Sequence, residues 1–358
     1  MTSFVYLQDV DLESETSSQE EDLEASDSEG NETRTVLDLY DIALLLNYER
    51  ASTEPRFRHA KRREVATESH FQTILMTPET APEWYEATGP RTGMVFERTQ
   101  APRGNKDQPD LPSNMLPSPV PPALQHLTPK QIETYYWQAR NHDGCFTTVA
   151  LFQHFMDLFD DTTCVQVRTV DNGEPRIYTT PAIDRTIVEM KLFGPRSMNM
   201  SVILPKGTAY ISASDPVISH AVLAFPSPDQ DPCILDLSSL QFGDVGRGNK
   251  GRSLFVLEPM GPYLTRLDRI AEGNTFNEAR LSARIRGTPN VTWLREVAAK
   301  VKERWDNRAT AHWCGHCGGP PPSGQDLRRC GTCKVAYYCN SEHQKAAWGY
   351  HKHFCVTP

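Results

Sequence analysis

The residues with the clearest chemical potential are the cysteines and histidines between positions 314 and 355. Six of the nine cysteines lie in this segment, and two histidines stand among them in the spacing C-x2-C-x12-C-x2-C-x5-C-x3-H-x7-H-x3-C. A Cys-x-x-Cys pair can bind one metal because the two intervening residues form a tight turn that brings both sulfurs within bonding distance. The eight side chains are enough for two tetrahedral zinc sites, and disulfides or buried thiols explain this spacing less well.

The metal-binding segment has little apolar material of its own, so coordination must supply most of its folding free energy. Its last part, residues 341–355, is typical of a short helix, with Ser341 as the N-cap and Gln344 as the reciprocal cap. On such a helix His351 and Cys355 are four residues apart on one face, so one metal can bind both. Three further histidines fall outside the spacing and are expected not to bind metal: His312, His316 and His353.

Four sequence words between residues 313 and 355 resemble the MYND-type zinc finger: WCGHC, RRCGTCKVAYYCNSEH, QKAAW and HKHFC. In that family two zinc sites interleave, so that the first and third ligand pairs bind one metal and the second and fourth bind the other. The resemblance implies one site formed by Cys314, Cys317, Cys339 and His343. It implies a second site formed by Cys330, Cys333, His351 and Cys355. The family usually has cysteine where this chain has His343, but imidazole is also a zinc ligand and we expect the site to keep its metal.

The same resemblance implies a function for the segment. All four positions of each site are filled by side chains, so the two zinc ions would be structural rather than catalytic. MYND-type fingers bind other proteins through short, often proline-containing peptides, and the resemblance places the first contacts to test at Gln344, Ala347 and Trp348. Direct DNA binding is not favoured, because residues 312–358 have only five Lys and Arg against two Asp and Glu. A transcriptional regulator that uses its acidic N-terminal residues for recruitment is a further interpretation.

The composition of the 358-residue chain predicts an intracellular protein, nuclear or cytoplasmic, with unstructured parts. Hydrophobic residues make up 38%, which is low for a fully folded chain, and the 27 prolines are many. The net charge of −9 argues against a general nucleic-acid binder. We find no signal peptide and no apolar run near the roughly 18 residues of a membrane span, so no membrane partner is expected. Free cysteines with zinc spacing fit a reducing compartment.

The N-terminal third is predicted to be largely disordered. Residues 1–34 are expected to form an acidic tail, since positions 9–32 hold eleven acidic residues and no lysine or arginine. Residues 35–127 are predicted to be mostly disordered and to end in a proline-rich linker. Within them, the apolar segment 36–48 is expected to dock on the core, with a short partner helix as the alternative. The basic residues at 56–63 indicate a solvated loop or a nuclear-import signal.

Residues 128–308 are predicted to form an α+β core, followed by the finger at 312–355. Thr128, Pro129 and Gln131 are typical of a helix start, and further helices are predicted at 146–160 and 291–307. Runs rich in Val, Ile and Leu predict the strands, at 164–170, 176–179, 198–204, 208–212, 218–225, 233–237 and 254–257. The fold class is therefore an α+β core with a small zinc-stabilised finger at its C-terminal side.

A second group of residues inside the core suggests nucleophilic catalysis. Cys145 begins a predicted helix, where oriented amides favour the thiolate, and His220 and Asp236 lie on two successive predicted strands. Neighbouring strands can set Asp236 beside His220 and orient the imidazole toward the thiol. This order resembles papain-like and transglutaminase-like cysteine enzymes, and Gln138 could then supply an oxyanion donor. The alternative function is thus a cysteine-dependent hydrolase or acyl transferase; otherwise these three are ordinary buried residues, and a binding protein is favoured over an enzyme.

Overall fold

The structure is a computed structural model that describes residues 34–98, 107–228, 230–276, 283–322 and 324–357. The acidic tail predicted from the sequence lies almost entirely outside the described residues. The helices are α1 (Leu39–Thr53), α2 (Pro82–Glu86), α3 (Pro129–Arg140), α4 (Cys145–Met156), the single turn α5 (Gly248–Gly251), α6 (Met260–Ile270), α7 (Ala283–Arg286), α8 (Val291–Asp306) and α9 (Ser341–His351).

The strands fall into four sheets. A three-stranded sheet has the order β1 (Val36–Asp38), β4 (Cys164–Asp171), β5 (Glu174–Pro181). An antiparallel five-stranded sheet has the order β11 (Val256–Pro259), β10 (Gln230–Asp236), β9 (Val217–Ser227), β6 (Thr186–Pro195), β12 (Ala271–Phe276). A four-stranded sheet has the order β2 (Ala60–Ala66), β3 (Arg91–Arg98), β7 (Met198–Leu204), β8 (Thr208–Ser212), and the finger contains the short pair β13 (Arg328–Arg329) and β14 (Tyr337–Tyr338).

The main hydrophobic core lies between three helices and the two sheets that contain β4 and β9. Helices α1, α4 and α8 contribute Leu45, Phe152 and Val301, and the strands contribute Val167 and Phe225, all of them fully buried. Helix α3 starts as the sequence predicts, because the Thr128 side chain accepts from the Gln131 amide and the Gln131 side chain returns to Thr128. The predicted fold class, an α+β core with a zinc-finger segment, is confirmed.

The ordered structure begins earlier than the predicted core boundary at residue 128. Segment 36–48 docks on the core as expected: it forms β1, which pairs in parallel with β4, and most of α1, whose residues Leu39 to Tyr48 are almost all buried. Strands β2 and β3 are also ordered: β2 pairs with β3, and β3 pairs in parallel with β7. These segments look weak in isolation because β1 and β3 pair with strands more than a hundred residues away, and this long-range burial is what offsets their chain entropy.

The proline-rich residues contact the core along the part that the structure describes, 107–127. Met115 is buried, and its carbonyl accepts from the Arg62 amide at 2.7 Å. The Asp110 carbonyl accepts from the Tyr136 hydroxyl at 2.6 Å. The extended linker expected from composition is therefore wrong for these residues, because side chains spaced between the prolines pack on α1, β2 and α3.

The basic residues at 56–63 form neither a solvated loop nor an exposed signal. They run into strand β2, and the Arg62 side chain is fully buried against the rings of Phe96 and Tyr135, at 5.8 and 5.9 Å. Arg63 pairs with Glu97 on the neighbouring strand. Aromatic faces and the long aliphatic stem make such burial possible for arginine. Among the described residues no helix is long and apolar enough to cross a membrane.

Candidate functional site

The first predicted metal site is assembled by a tight turn, a short strand and a helix start. The turn after Cys314 is closed by the Gly318 amide, which donates to the Cys314 carbonyl at 2.8 Å. Cys339 directly follows β14, and His343 lies in the first turn of α9. The N-cap of α9 is Asn340, whose side chain accepts from the His343 amide at 2.9 Å, so the prediction of Ser341 as the cap is off by one residue.

The donor atoms of the first site have the separations of a zinc tetrahedron. Cys317 Sγ and Cys339 Sγ are 3.7 Å apart, and Cys314 Sγ and His343 Nδ1 are 3.3 Å apart. With zinc–sulfur bonds of about 2.3 Å, two sulfurs of a tetrahedral site lie about 3.8 Å apart and a sulfur and a nitrogen about 3.5 Å apart. No disulfide joins these cysteines. The four donors fit one zinc ion, with His343 in the position where the related fingers have cysteine.

The second site has the same geometry. Cys330 Sγ and Cys355 Sγ are 3.8 Å apart, and Cys333 Sγ and His351 Nε2 are 3.5 Å apart. In each site all four donor atoms lie within 4.8 Å of one another. Helix α9 ends at His351, so Cys355 reaches the metal from the chain beyond the helix rather than from its last turn. The interleaved pairing implied by the sequence resemblance is the one that these distances support, and two structural zinc ions fit the segment.

The core supplies a carboxylate next to the first zinc site. Glu133 on α3 is 2.9 Å from His316 Nε2, and the donor atoms of Glu133, His316 and His343 lie within 4.8 Å of one another. His343 would offer Nδ1 to the zinc, and Glu133 stands close enough to its ring to act as the outer-shell carboxylate found beside many zinc sites. Burial would raise the pKa of Glu133, but the charges of His316 and Arg247 hold it low, at about 2. His316 connects the finger to the core through this carboxylate.

The zinc-binding segment packs directly on α1. The rings of Tyr350 and Tyr40 stack at 3.9 Å, and the Tyr350 hydroxyl donates to the Arg168 carbonyl at 2.9 Å. The Arg304 side chain donates to the Gly318 carbonyl at 2.6 Å. Gly318 approaches α1 so closely that an added Cβ would stand 2.3 Å from the Leu44 carbonyl oxygen. The finger and the core therefore form one packed unit.

A groove runs along the outer face of α9. Its volume is about 570 Å³, and it is lined by Arg252, Cys330, Gly331, Thr332, Gln344, Lys345 and Trp348. Trp348 is 43% exposed, which is unusual for so large an apolar side chain. Two of the three contact residues expected from the resemblance, Gln344 and Trp348, line the groove. Ala347 does not, because it is buried inside the finger with the ligand cysteines.

The three residues of the second group also come together. His220 Nε2 donates to Asp236 Oδ2 at 2.8 Å, and the Cys145 thiol at the start of α4 lies beside the ring, where it meets the carbonyl of the adjacent Ser219 at 3.9 Å. His220 and Asp236 lie on β9 and β10 as diagonal neighbours on one face of the sheet, given that Leu223 pairs with Leu235. Burial would lower the pKa of His220, but Asp236 and Cys145 raise it to about 10. Gln138 donates instead to the Asn199 carbonyl oxygen and is not aimed at a substrate position.

The sequence did not predict several polar residues that contact His220 and Asp236. Asp236 Oδ1 accepts from the Ser238 amide and hydroxyl, both at 3.0 Å, and Asp236 Oδ2 also accepts from the Tyr263 hydroxyl at 3.2 Å. The Gln241 amide faces His220 Nδ1 at 3.3 Å. The signal available in the sequence was the presence of polar residues within the apolar run 237–242, but nothing there indicates which partner they meet.

Comparisons with known proteins support the prediction of a zinc finger in the C-terminal segment. Residues 314–355 match the family model described as MYND finger. The MYND-type zinc finger protein samB of Emericella nidulans is 34% identical over 65 residues, which are 18% of this chain and 11% of that protein. The match thus covers far less than two thirds of the relative. No solved structure matches the chain. The MYND-type finger predicted from the sequence is confirmed, whereas the resemblance of the core to papain-like or transglutaminase-like enzymes finds no support in these comparisons.

Proposed function

We propose that this chain binds short proline-containing peptides of other intracellular proteins in the groove along α9. The observation that carries the proposal is the exposed Trp348 indole, which stands beside Gln344 in a groove of about 570 Å³. An aromatic face beside an amide is the arrangement that docks extended proline segments, because proline pre-orders the peptide and the amide can bond its backbone. The finger's metals shape this surface without taking part in chemistry.

The charged side chains at the groove favour a peptide that carries an acidic residue. Arg252 belongs to the core, yet it lines the groove together with Lys345 of α9. Lys345 is already paired with Glu342 at 3.0 Å, which leaves Arg252 as the stronger anchor for an acidic residue. The proposed ligand is therefore a proline-containing peptide with an acidic side chain at the end that reaches Arg252. Because the core contributes this residue, the isolated finger would bind the same peptides with less charge preference.

The test selects ligands without assuming a partner. Full-length zinc-loaded protein is used to select from a phage-displayed library of random 12-residue peptides, and enriched peptides are measured by fluorescence anisotropy. We expect enrichment of proline, and Trp348→Ala should weaken binding at least about tenfold, as loss of an aromatic anchor does. Lys352→Ala, an exposed change at the end of α9 outside the groove, is the matched control. Selection of peptides without proline, or equal binding by the Trp348 and Lys352 variants, would contradict the proposal.

A role in transcriptional regulation is a narrower form of this proposal. Its support is compositional, since the eleven acidic residues at positions 9–32 suit recruitment by charge. The full chain fused to a fluorescent protein should then be enriched in the nucleus. Because Arg62 is buried, Arg63→Ala alone should leave that distribution unchanged. A wholly cytoplasmic distribution would refute the transcriptional role and leave peptide binding intact.

A further inference from the structure

Cys145, His220 and Asp236 form a polar group in the buried interior of the core. The three residues are 3%, 1% and 2% exposed, and Asp236 receives hydrogen bonds from His220, Ser238 and Tyr263. Burying a carboxylate and an imidazole is costly unless both are paired. Here both ring nitrogens have partners that fix the direction of the ring: Asp236 holds Nε2 at 2.8 Å, and the Gln241 amide faces Nδ1 at 3.3 Å.

The thiol has the surroundings of a nucleophile rather than of a packing residue. Cys145 is the first residue of the twelve-residue helix α4, whose N-cap Gly144 offers no side chain to the helix amides. A helix start and a neighbouring imidazole both favour the thiolate. Cys233 provides the contrast within the same protein, because it is equally buried but packs among apolar side chains, and burial raises the pKa of its thiol. Burial alone therefore does not distinguish the two cysteines, but the imidazole does.

A crevice reaches the imidazole and Ser219, the residue whose carbonyl the Cys145 thiol meets at 3.9 Å; Cys145 itself lies behind this wall. The crevice is lined by Asp143, Asn199, Ser212, Ala213, Ile218, Ser219, His220, Gln241 and Phe242, and its volume is about 20 Å³. This is room for about one water molecule, so in this conformation only the slender end of a substrate can enter. Asn199 and Gln241 offer amide groups on its wall, and the largely exposed Asp143 stands at the residue before Gly144.

We propose that Cys145, His220 and Asp236 form a thiol-dependent acyl hydrolase centre, separate from the finger, for substrates that present the acyl group on a slender end. The Cys145 thiol first gives its proton to His220, and the thiolate then attacks the carbonyl carbon and forms a thioester. The bond to the leaving group breaks, and that group takes the proton from His220. Water then attacks the thioester and gives a proton to His220, the carbon–sulfur bond breaks, and the thiol recovers this proton. The sum is acyl donor plus water to carboxylic acid plus leaving group. Asp236 and Gln241 act as positioning residues that hold the ring.

Selective labelling tests the nucleophile without any variant. The folded, zinc-loaded chain is treated with limiting iodoacetamide, and each core cysteine is quantified by peptide mass spectrometry. We expect Cys145 to react at least about tenfold faster than Cys164 and Cys233, which are also buried. Equal rates for the three thiols would overturn the proposal.

Turnover tests the complete centre. p-Nitrophenyl acetate should give one acetyl adduct per molecule on Cys145, followed by slower release of acetate. Cys145→Ser should abolish the adduct, whereas Cys233→Ser, the matched control, should not. Asp236→Asn should shift the pH profile of the reaction and not only its rate, which a merely structural carboxylate would not do. Each variant is first shown to keep two zinc ions and the circular dichroism of the parent. Hydrolysis that survives in Cys145→Ser would refute the centre, and it leaves peptide binding at α9 untouched.

Discussion

The packing of the finger on α1 can be tested at a single backbone position, Gly318. The residue has φ +75° and directly follows Cys317, a ligand of the first zinc site. An added Cβ would stand 2.3 Å from the Leu44 carbonyl oxygen and 3.0 Å from Tyr48 Cβ, both on α1. Gly318→Ala should therefore push the finger away from the helix while it leaves every metal ligand in place.

The expected loss in unfolding free energy for Gly318→Ala has two contributions, and the same substitution at a second glycine, Gly324, measures one of them alone. A left-handed conformation costs a residue with a Cβ about 1–2 kcal/mol, and the overlap with α1 adds about 1–3 kcal/mol. Gly324 has nearly the same angle, φ +74°, but an added Cβ there would meet nothing within 4 Å. Gly324→Ala should thus lower the free energy of unfolding by the first amount alone, and Gly318→Ala by the sum, about 2–5 kcal/mol.

The assay is urea unfolding at fixed zinc concentration, with the zinc content of each variant measured beforehand. Near-ultraviolet circular dichroism follows the packing of all aromatic side chains, the stacked pair Tyr40 and Tyr350 among them, whereas far-ultraviolet circular dichroism follows the secondary structure. We expect both probes to report the larger loss for Gly318→Ala. Equal losses for the two glycine variants would show that the finger does not rest on α1, and the description of one packed unit would be wrong.

Three further predictions follow from the same contacts. Cys330→Ser should lower the zinc content from two ions to one per molecule by elemental analysis, and loss of both ions would contradict independent sites. Tyr350→Ala, at a buried aromatic, should cost about 3–5 kcal/mol of unfolding free energy, whereas Trp348→Ala on the same helix should cost about 1 kcal/mol or less; equal costs would contradict the burial of Tyr350. The pKa of His220 is raised from 6.5 to about 10 in the folded state, so its pairing stabilises the protein fully below pH 6.5 and progressively less as the pH rises to 10. The difference in unfolding free energy between the parent and His220→Gln should shrink over that range, and a constant difference would mean that the pair carries no charge.

The zinc sites could be predicted from the sequence because their information is local. Eight ligands lie within 42 residues, and the turn geometry of Cys-x-x-Cys fixes two of them at a time. The pair of His220 and Asp236 could also be predicted, because a short connection between β9 and β10 makes them neighbours in one sheet. The catalytic role of these residues stays a proposal, since a shared sheet face establishes proximity and not chemistry.

What could not be predicted depends on partners far along the chain. Strand β2 has four charged residues among seven, and only its pairing with β3, and that of β3 with β7, makes it a strand. Arg62 is buried because two rings and the helix α3 cover it, and no local pattern indicates such a cover. The contacts of Arg252 and Glu133 with the finger could not be predicted either, because both residues belong to the core and lie far from the finger in the sequence. Local periodicity carries no information on these contacts, which tertiary packing decides.

Helix α3 contacts both the finger and the polar residues around His220. Glu133, in its first half, faces His316 of the finger, and Gln138, near its end, donates to Asn199. Asn199 in turn donates to the Gln241 carbonyl at 2.8 Å, and the Gln241 side chain faces His220. A displacement of the finger that tilts α3 would therefore reach the His220 ring through Asn199 and Gln241. This chain of contacts shows only that the two regions are connected. They are coupled only if a peptide bound at α9 changes the reactivity or conformation of the residues around His220. The labelling rate of Cys145 with and without a selected peptide at α9 is the quantity in which such coupling would be visible.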